Sequence, residues 1–333
     1  MHAAWFEGSG GPEVIGFREV PRPVAGAREV VVRVEAAGLN RADLLQRRGA
    51  YPAPAGWPEH VPGLEYAGVV ESLGEGVRRW RPGDRVMGLV GGGAMAEAVA
   101  VHEDEVLAVP RHLSSADAAA IPEAFLTAYD ALVRRARLRP GERVLLHAAG
   151  SGVGSAAVQL CRLLRLRAVG TSRSAAKLAR LVPLGLEEAI DTSRGGFREQ
   201  LSEPVDAVID VLGGPALADN LAVLRPRGRL VILGFLLGTR AEADLGLVLR
   251  NRLEIVGTAL RSRGLGERIP LVAEFAARVL PHFGADEPEA TRLVPILDRV
   301  LPMASLPEAH RLMEANDTFG KVVLSWGGAA RAG

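Results

Sequence analysis

The sequence predicts an α/β protein with a doubly wound parallel sheet and a second, β-rich domain. The first observation is the alternation of strand-like and helix-like segments over residues 122–262, which is typical of a parallel sheet with helical crossovers. The second is an apolar strand at 144–146 that leads through a turn of small residues into a helical pattern. The third is a set of strand-like segments in residues 1–120, separated by Pro and Gly turns, which favours a partly open barrel.

The turn after the strand at 144–146 has the residue sizes of a dinucleotide-binding turn. Ala149, Ser151 and Gly154 stand at the three positions where such a turn requires small residues. Small residues allow a tight bend, a close approach of the backbone to a pyrophosphate, and close packing of the helix on the strand. The helix that starts near Gly152 would direct its free N–H groups and the positive end of its dipole at the phosphates. The alternative is a strand–helix junction that binds no ligand.

The second strand of this unit predicts the kind of dinucleotide. It ends at residues 170–174, where proteins that prefer NAD carry an Asp or Glu for the ribose 2′-hydroxyl, and it has neither. Ser172 and Arg173, with Lys177 one helical turn later, would instead bind a 2′-phosphate. We therefore expect NADP(H) as the cofactor. The alternative is a basic helix start that faces solvent.

The β-rich domain is expected to be discontinuous. Its first part is predicted to contain strands at 29–35, 63–71 and 84–90. The C-terminal residues 293–326 have the pattern strand, helix, strand, which matches the β-rich domain better than the parallel sheet. The predicted division is a catalytic domain of residues 1–121 plus 263–333 and an inserted nucleotide-binding domain of residues 122–262.

Bulk composition excludes several classes of protein. A formal net charge of +1 on 333 residues argues against a nucleic acid partner. The one cysteine, Cys161, excludes an intramolecular disulfide and a thiolate-rich zinc site, and its helical position favours core packing. The sequence shows no signal peptide and no apolar run long enough to span a bilayer, so a cytoplasmic protein without membrane contact is expected.

Lysine is rare in this chain. Of 40 Lys and Arg residues only Lys177 and Lys321 are lysines, which leaves 40 − 2 = 38 arginines. A lysine kept against this bias suits a site that requires a compact ammonium group. The alternative is that two lysines remain by chance.

Further motifs are spread over nearly all of the chain. They are Asn40-Arg-Ala-Asp43, residues 49–54, Gly63-Leu-Glu65, Gly83-Asp84, residues 118–127, residues 147–159, Leu260-Arg-Ser-Arg263, Leu280-Pro-His-Phe283, residues 313–316 and Gly320-Lys321. By these motifs the chain resembles the medium-chain dehydrogenase/reductase superfamily. Within it, the chain is similar to the zinc-free, zeta-crystallin-like NADPH:quinone oxidoreductases, and closest to the tumour-suppressor-inducible branch.

This resemblance implies a GroES-like catalytic domain, a Rossmann domain and NADPH in the cleft between them, with a quinone as acceptor. It also implies a homodimer through the strand at 253–258, which should be an edge of the parallel sheet. The implied contacts are Asn40, Tyr51 and Thr127 near the nicotinamide; Ser151, Gly152 and Val153 at the pyrophosphate; Ser172, Arg173 and Lys177 at the 2′-phosphate; Gly234 and Phe235 over the cofactor; and Asn316 and Lys321 at the closure of the cleft. Many relatives carry a tyrosine where this chain has Thr192, so one adenosine-side contact differs.

The same resemblance bears on metal. Zinc-dependent members of the superfamily use a Cys and a His–Glu pair, and here Leu64 precedes Glu65 where the zinc histidine would stand, so no metal is expected. Simple ketone reduction is then poorly supported. A quinone is already electron-poor and gains aromaticity on reduction, so positioning and a donor near the developing oxyanion suffice. Tyr51 is the candidate donor, with Asn40 beside it in the catalytic site; the alternative for Tyr51 is a loop aromatic that shapes the pocket.

Two other functions stay open at this point. An enoyl or alkenal reductase would deliver hydride to an activated C=C bond with the same cofactor on the same scaffold. A low-turnover NADPH-binding protein belongs to another class, and a complete set of cleft residues argues against it.

Overall fold

The computed structural model describes residues 1–327 and 331–332. The chain forms two compact units. The first unit consists of residues 1–126, 260–287 and 294–333, and the second of residues 127–259 and 288–293. The sequence-based division put 288–293 in the catalytic domain. In the structure this segment belongs to the second unit, where the Arg162 guanidinium on the first helix after the dinucleotide turn donates to the carbonyl of Arg292.

Residues 1–129 form seven strands and three α-helices. In chain order they are β1 (His2–Phe6), β2 (Ile15–Glu19), β3 (Glu29–Gly38), α1 (Arg41–Arg47), β4 (Glu65–Leu73), β5 (Arg85–Leu89), β6 (Ala98–His102), β7 (Val106–Ala108), α2 (Ser115–Ala118) and α3 (Pro122–Tyr129). A π-helical turn at 130–135 continues α3.

The second unit continues as a regular strand–helix alternation. Its elements are β8 (Arg143–Leu146), α4 (Gly152–Leu163), β9 (Arg167–Ser172), α5 (Ala175–Leu181), β10 (Leu186–Asp191), α6 (Phe197–Gln200), β11 (Val205–Asp210), α7 (Leu217–Ala222), β12 (Leu224–Ile232), α8 (Leu245–Asn251) and β13 (Glu254–Gly257). The chain then returns to the first unit with α9 (Leu265–Arg278), β14 (Leu297–Pro302), α10 (Leu306–Glu314), β15 (Lys321–Ser325) and β16 (Arg331–Ala332).

The six strands of the second unit form one parallel sheet in the order β10-β9-β8-β11-β12-β13. This is the strand order of a dinucleotide-binding doubly wound sheet. In such a sheet, successive strands are added on one side of the first strand and then on its other side. The apolar run 144–146 forms β8 at the centre and is almost fully buried, as expected for a strand covered on both faces. The ligand position of such a sheet lies at the carboxyl end of β8, where the switch in strand order occurs.

The larger sheet of the first unit is largely antiparallel. Its strands follow the order β16-β14-β15-β3-β4-β5-β7, with β6 also paired to β3. Alternate valines of β3, among them Val30, Val32 and Val34, point into a core that also contains Leu44 of α1 and Leu306 of α10. The C-terminal strand β15 pairs with β3, so residues more than 280 positions apart lie side by side in this unit.

These observations confirm the predicted fold class of a β-rich domain and a parallel sheet. The strand β10 is not apparent in the sequence, because its consecutive Glu187 and Glu188 interrupt the alternation of apolar residues. The prediction that β13 forms an edge of the sheet is confirmed by the strand order.

Within the described residues, no helix combines the length and the apolar character that crossing a bilayer requires. The cytoplasmic location expected from the sequence stays a prediction.

Candidate active site

The dinucleotide turn of the second unit lies between β8 and α4. Ser151 is the N-cap of α4, and its hydroxyl accepts the N–H of Gly154 at 3.0 Å. A side chain at Gly154 would place its Cβ 2.5 Å from the carbonyl oxygen of Ala149, so the helix can pack this closely on the turn only with glycine here. Ser151 is exposed, whereas Gly152 and Val153 are half-buried. The start of α4 therefore presents its first N–H groups at an accessible surface.

A basic corner lies beside this turn. Ser172 ends β9, Arg173 is exposed, and Lys177 is in the first turn of α5. The stem of Lys177 packs on the turn itself, since a Cβ at Gly150 would lie 3.2 Å from the Cβ and Cδ of that lysine. The structure thus brings the predicted phosphate residues next to the predicted pyrophosphate turn.

The structure also brings a carboxylate to this corner that the sequence analysis did not foresee. Asp191 ends β10, in register with Ser172, and Thr192 follows with its N–H bonded to the Ser172 carbonyl at 2.9 Å. Hydrogen bonds from the hydroxyl and N–H of Ser193 lower the pKa of Asp191. Arg194 lies 3.4 Å from the same carboxylate and offsets its charge. Recognition of β10 in the sequence would have revealed this residue.

The loop after β12 contains Gly234 and Phe235. The Phe235 ring is about half exposed and lies against Gly213, where a Cβ would come within 2.8 Å of the ring. Gly213 has φ +85° and donates to Asp210, which also accepts the N–H of Leu212 at 2.7 Å. The carboxylate therefore shapes the bend that places Phe235 at the carboxyl end of the sheet.

His147 follows β8 directly, and both of its ring nitrogens are hydrogen-bonded. Its Nε2 donates to Asn220 Oδ1 at 2.7 Å, so Nδ1 accepts from the Thr171 hydroxyl at 3.0 Å. Burial lowers the pKa of His147 and keeps the ring neutral. Both ring nitrogens are bound to core groups, which makes His147 a part of the scaffold.

In the first unit, a buried polar cluster gathers Asn40, Glu65 and Lys321. The Lys321 ammonium lies 2.6 Å from Asn40 Oδ1, 3.0 Å from the Leu39 carbonyl and 2.5 Å from Glu65 Oε1. Asn40 Nδ2 donates to the same Glu65 oxygen at 2.9 Å. The side chains of Lys321 and Glu65 are only 5% and 0% exposed, so this ion pair is part of the core.

Glu65 also anchors a helix. Its second oxygen accepts the N–H of Glu123 at 2.8 Å, at the start of α3, and Thr127 lies half-buried one turn further along that helix. Asn316, in contrast, is exposed, has φ +56°, and its side-chain oxygen accepts from Arg41 at 2.7 Å. The structure joins Asn40 and Lys321 directly. The other contact expected at the closure of the cleft, Asn316, lies at the surface.

The start of α1 contains a buried carboxyl group beside this cluster. Asp43 accepts the N–H of Asn40 at 2.8 Å and that of Gly63 at 3.0 Å. Burial raises the pKa of Asp43 to about 6, although these hydrogen bonds oppose the rise. Asp43 thereby ties the motif 40–43 to the motif 63–65, two of the patterns singled out in the sequence.

Tyr51 lies half-buried on the loop after α1, and its ring faces a guanidinium group. The Cζ atom of Arg261 is 5.2 Å from the ring centroid, and Arg261 Nη1 donates to the Tyr51 carbonyl at 3.0 Å. Burial raises the pKa of Tyr51, and the charge of Arg261 opposes this rise. In the sequence the segment 260–263 stands out only as a motif, because no local pattern links it to residue 51.

Across the described residues, no group of three or more His, Cys, Asp or Glu side chains has the arrangement of a metal site. Cys161 is buried in α4, and burial raises the pKa of its thiol.

Comparison with known proteins identifies the family. Residues 26–111 match the alcohol dehydrogenase GroES-like domain, and residues 152–278 match the zinc-binding dehydrogenase domain. The synaptic vesicle membrane protein VAT-1 homolog of Rattus norvegicus is 33% identical over 333 residues, covering 95% of this chain and 82% of the relative. The chain belongs to the medium-chain dehydrogenase/reductase superfamily. Quinone oxidoreductase-like protein 2 of Bos taurus is a further relative in this superfamily, 30% identical with 92% and 87% covered.

Solved structures of the medium-chain dehydrogenase/reductase superfamily share the fold over nearly the whole chain. A quinone oxidoreductase from Pseudomonas syringae pv. Tomato DC3000 matches with a TM-score of 0.83 and 28% identity, covering 97% of this chain and 99% of that one. The CurK enoyl reductase matches with a TM-score of 0.82 and 28% identity, covering 97% and 98%. A mycobacterial protein solved with NADPH matches with 0.83 and 27%, covering 98% and 100%. The chain is therefore an oxidoreductase of this superfamily with a domain for a nicotinamide dinucleotide.

Proposed function

We propose that this chain is an NADPH-dependent quinone reductase. The observation that carries the proposal is the basic corner of the second unit, where Ser172, Arg173 and Lys177 adjoin the open start of α4. Two positive side chains beside a helix N-terminus suit a cofactor that bears an extra phosphate. The quinone as acceptor is supported by relatives and neighbours that are called quinone oxidoreductases.

The residues of the second unit fit a dinucleotide. Gly154 permits the close approach of helix and turn, and Ser151 satisfies one helix N–H while leaving the start of α4 accessible. Arg173 and Lys177 would hold the 2′-phosphate, and Asp191 is already committed to Ser193 and Arg194. The further proposed cofactor contacts are Asn40, Thr127, Ala149, Gly152, Val153, Thr192, Gly234, Phe235 and Asn316. Lys321, which the resemblance also placed at the cofactor, is buried against Glu65 and is proposed instead to hold Asn40 in place.

When bound, NADPH supplies a hydride. The contribution of this chain is to bind the phosphates, to orient the acceptor, and to give a proton to the acceptor oxygen on which negative charge develops. Tyr51 is the proposed proton donor, and Asn40, held by Lys321 and Glu65, is the second proposed catalytic residue. A quinone that gains one hydride and one proton becomes a hydroquinone, so the reaction balances without a metal ion.

A reductase for activated C=C bonds is the second candidate. The observation in its favour is the equally close structural match to the CurK enoyl reductase. The same proton donor would then serve the enolate oxygen that forms after hydride addition to the alkene.

The deciding experiment is an assay of NADPH oxidation by the purified, metal-depleted protein. Ortho- and para-quinones are offered beside an enoyl thioester and an alkenal, and each assay is repeated with NADH. Fast turnover of quinones with a preference for NADPH supports the proposal, and turnover confined to the alkenes transfers the assignment to the second candidate. Tight NADPH binding with no turnover of any acceptor would contradict both and favour a binding protein.

We further propose that two copies pair through β13. This strand is a sheet edge, and Ile255 on it is 44% exposed. An apolar edge strand is a template for pairing with another chain. Light scattering at micromolar concentration should give the mass of a dimer, and Ile255→Lys should give that of a monomer. A monomeric mass for the unaltered protein contradicts the pairing.

A further inference from the structure

The motif 260–263 contains a buried cation whose role the proposed reaction leaves open. Arg261 is 7% exposed. Its Nε donates to the Gly91 carbonyl at 2.7 Å, and its Nη2 donates to Gln46 Oε1 at 2.6 Å. The third donor, Nη1, reaches the Tyr51 carbonyl at 3.0 Å. All three of these acceptors are neutral oxygens, so none of them neutralises the positive charge of the guanidinium inside the first unit.

These hydrogen bonds fix the loop that contains Tyr51. Gln46, at the end of α1, also donates from Nε2 to the Glu59 carbonyl at 2.8 Å. Arg261 and Gln46 therefore hold both ends of the segment between Tyr51 and Glu59. A planar guanidinium with donors in fixed directions suits such a junction better than a flexible ammonium.

The Tyr51 ring lies over this fixed charge. The distance from Arg261 Cζ to the ring centroid is 5.2 Å, within the range of a cation–π contact. The charged groups that bear on Tyr51 are Arg261 and Glu123, and those that bear on Arg261 are Asp43, Glu123 and Tyr51 itself. Among these groups Arg261 is the one that favours negative charge on the phenol oxygen.

We propose that Arg261 is a positioning residue for proton donation by Tyr51, holding its loop and stabilising the phenolate that donation leaves behind. The inference rests on the proposed reductase reaction. In that step the phenol O–H bond breaks, the proton goes to the acceptor oxygen, and the electron pair stays on the tyrosine. Water returns the proton to Tyr51 after the product leaves.

The effect on the pKa of Tyr51 follows from its surroundings. Burial raises this pKa, Arg261 lowers it, and Glu123 raises it. Without the guanidinium only the two raising influences remain. Arg261→Gln, which keeps a hydrogen-bonding side chain but removes the charge, should therefore raise the pKa of Tyr51.

A spectrophotometric titration of tyrosine tests this without cofactor or acceptor. The chain has 3 tyrosines, and the other two, Tyr66 and Tyr129, are almost fully buried. Burial also raises the pKa of Tyr66, so Tyr51 should ionise first. Tyr51→Phe removes this first step and thereby assigns it. Arg261→Lys keeps the positive charge but lacks the forked, planar guanidinium. In this variant the pKa of Tyr51 should stay close to its value in the unaltered protein.

Turnover completes the test. A donor must be protonated, so activity falls as the pH rises through the pKa of Tyr51. In Arg261→Gln this basic limb should move to higher pH while kcat falls about tenfold or more, and NADPH affinity should be unchanged. An unshifted pKa of Tyr51 in Arg261→Gln, or in Arg261→Met should the first variant not fold, overturns the inference even in an enzyme that reduces quinones. Unchanged kcat in Tyr51→Phe overturns the donor role itself, and with it the proposed mechanism, whatever the titration shows.

Discussion

The Lys321 cluster allows a sharp test of whether this lysine stabilises the fold or contacts the cofactor. Lys321→Met keeps a side chain that extends to the Cε position and removes the ammonium group. The change leaves Glu65 fully buried without the ammonium group that lies 2.5 Å from its Oε1 in the unaltered protein. It also removes the donor to Asn40 Oδ1 and to the Leu39 carbonyl. The stem is buried either way, so the loss of packing is small.

The expected loss is about 3–5 kcal/mol of unfolding free energy, because removal of one partner strands a buried charge. The two orphaned acceptors belong to the same cluster, so their penalties are not added separately. The double variant Lys321→Met with Glu65→Gln should recover part of this loss, because it has no uncompensated charge.

Urea unfolding followed by tryptophan fluorescence is the assay. All 4 tryptophans, Trp5, Trp57, Trp80 and Trp326, lie in the first unit, so the signal reports the unit that contains Lys321. The other lysine, Lys177, lies in the second unit and supplies the matched control, Lys177→Met, which should leave this transition in place. A loss below about 1 kcal/mol for Lys321→Met, accompanied by weakened NADPH binding, would refute the structural role and favour a cofactor contact.

Three further predictions address the cofactor corner, the turn and pH. Arg173→Ala and Lys177→Ala should each raise the Kd for NADPH about tenfold and leave that for NADH unchanged, because each loses a charge-assisted hydrogen bond to the 2′-phosphate. Equal weakening of both cofactors in a fluorescence titration would contradict the assignment. Gly154→Ala should cost about 1–3 kcal/mol through overpacking, since its Cβ would lie 2.5 Å from the Ala149 carbonyl, and an unchanged thermal midpoint would argue against that contact. Burial and the charge of Arg47 lower the pKa of His310 to about 3. In the unfolded chain His310 has its ordinary pKa of about 6.5 and takes up a proton below that pH. As the pH falls from about 6.5, His310 therefore lowers the free energy of unfolding by about 1.4 kcal/mol per pH unit. His310→Gln should flatten this slope in urea unfolding, and a slope like that of the unaltered protein would show that the ring is protonated in the folded state.

Local residue patterns predicted the fold well in segments where consecutive residues are all buried. The run 144–146 is apolar because β8 is central, and small residues follow because a helix must pack against the turn. The strand β10 escaped prediction for the opposite reason. It is an edge strand with two consecutive glutamates, so its alternation of apolar residues is weak. With it, Asp191 was missed at the cofactor corner.

The candidate site depends on contacts between residues that are distant in sequence. Lys321 lies beside Asn40 across 281 positions, and Arg261 lies beside Tyr51 across 210. The motifs containing these residues were visible in the sequence, but neither spacing nor periodicity says which side chains meet. The rarity of lysine drew attention to Lys321, while its burial against Glu65 became evident only from the structure.

The order of strands in the first unit has a consequence for synthesis on the ribosome. All six strands of the parallel sheet have been made once residue 257 is translated, whereas β15 comes more than 60 residues later. Until then the end of β3 at 36–38 has no neighbour on the side that β15 will occupy. During the last stage of translation, the nascent chain therefore contains all strands of the parallel sheet, while one strand edge of the first unit is still unpaired. Domains generally fold as units, so the two units are expected to complete their folding in separate steps. Chaperones that shield strand edges would act on this protein late, at the stage when only its C-terminal segment is still missing.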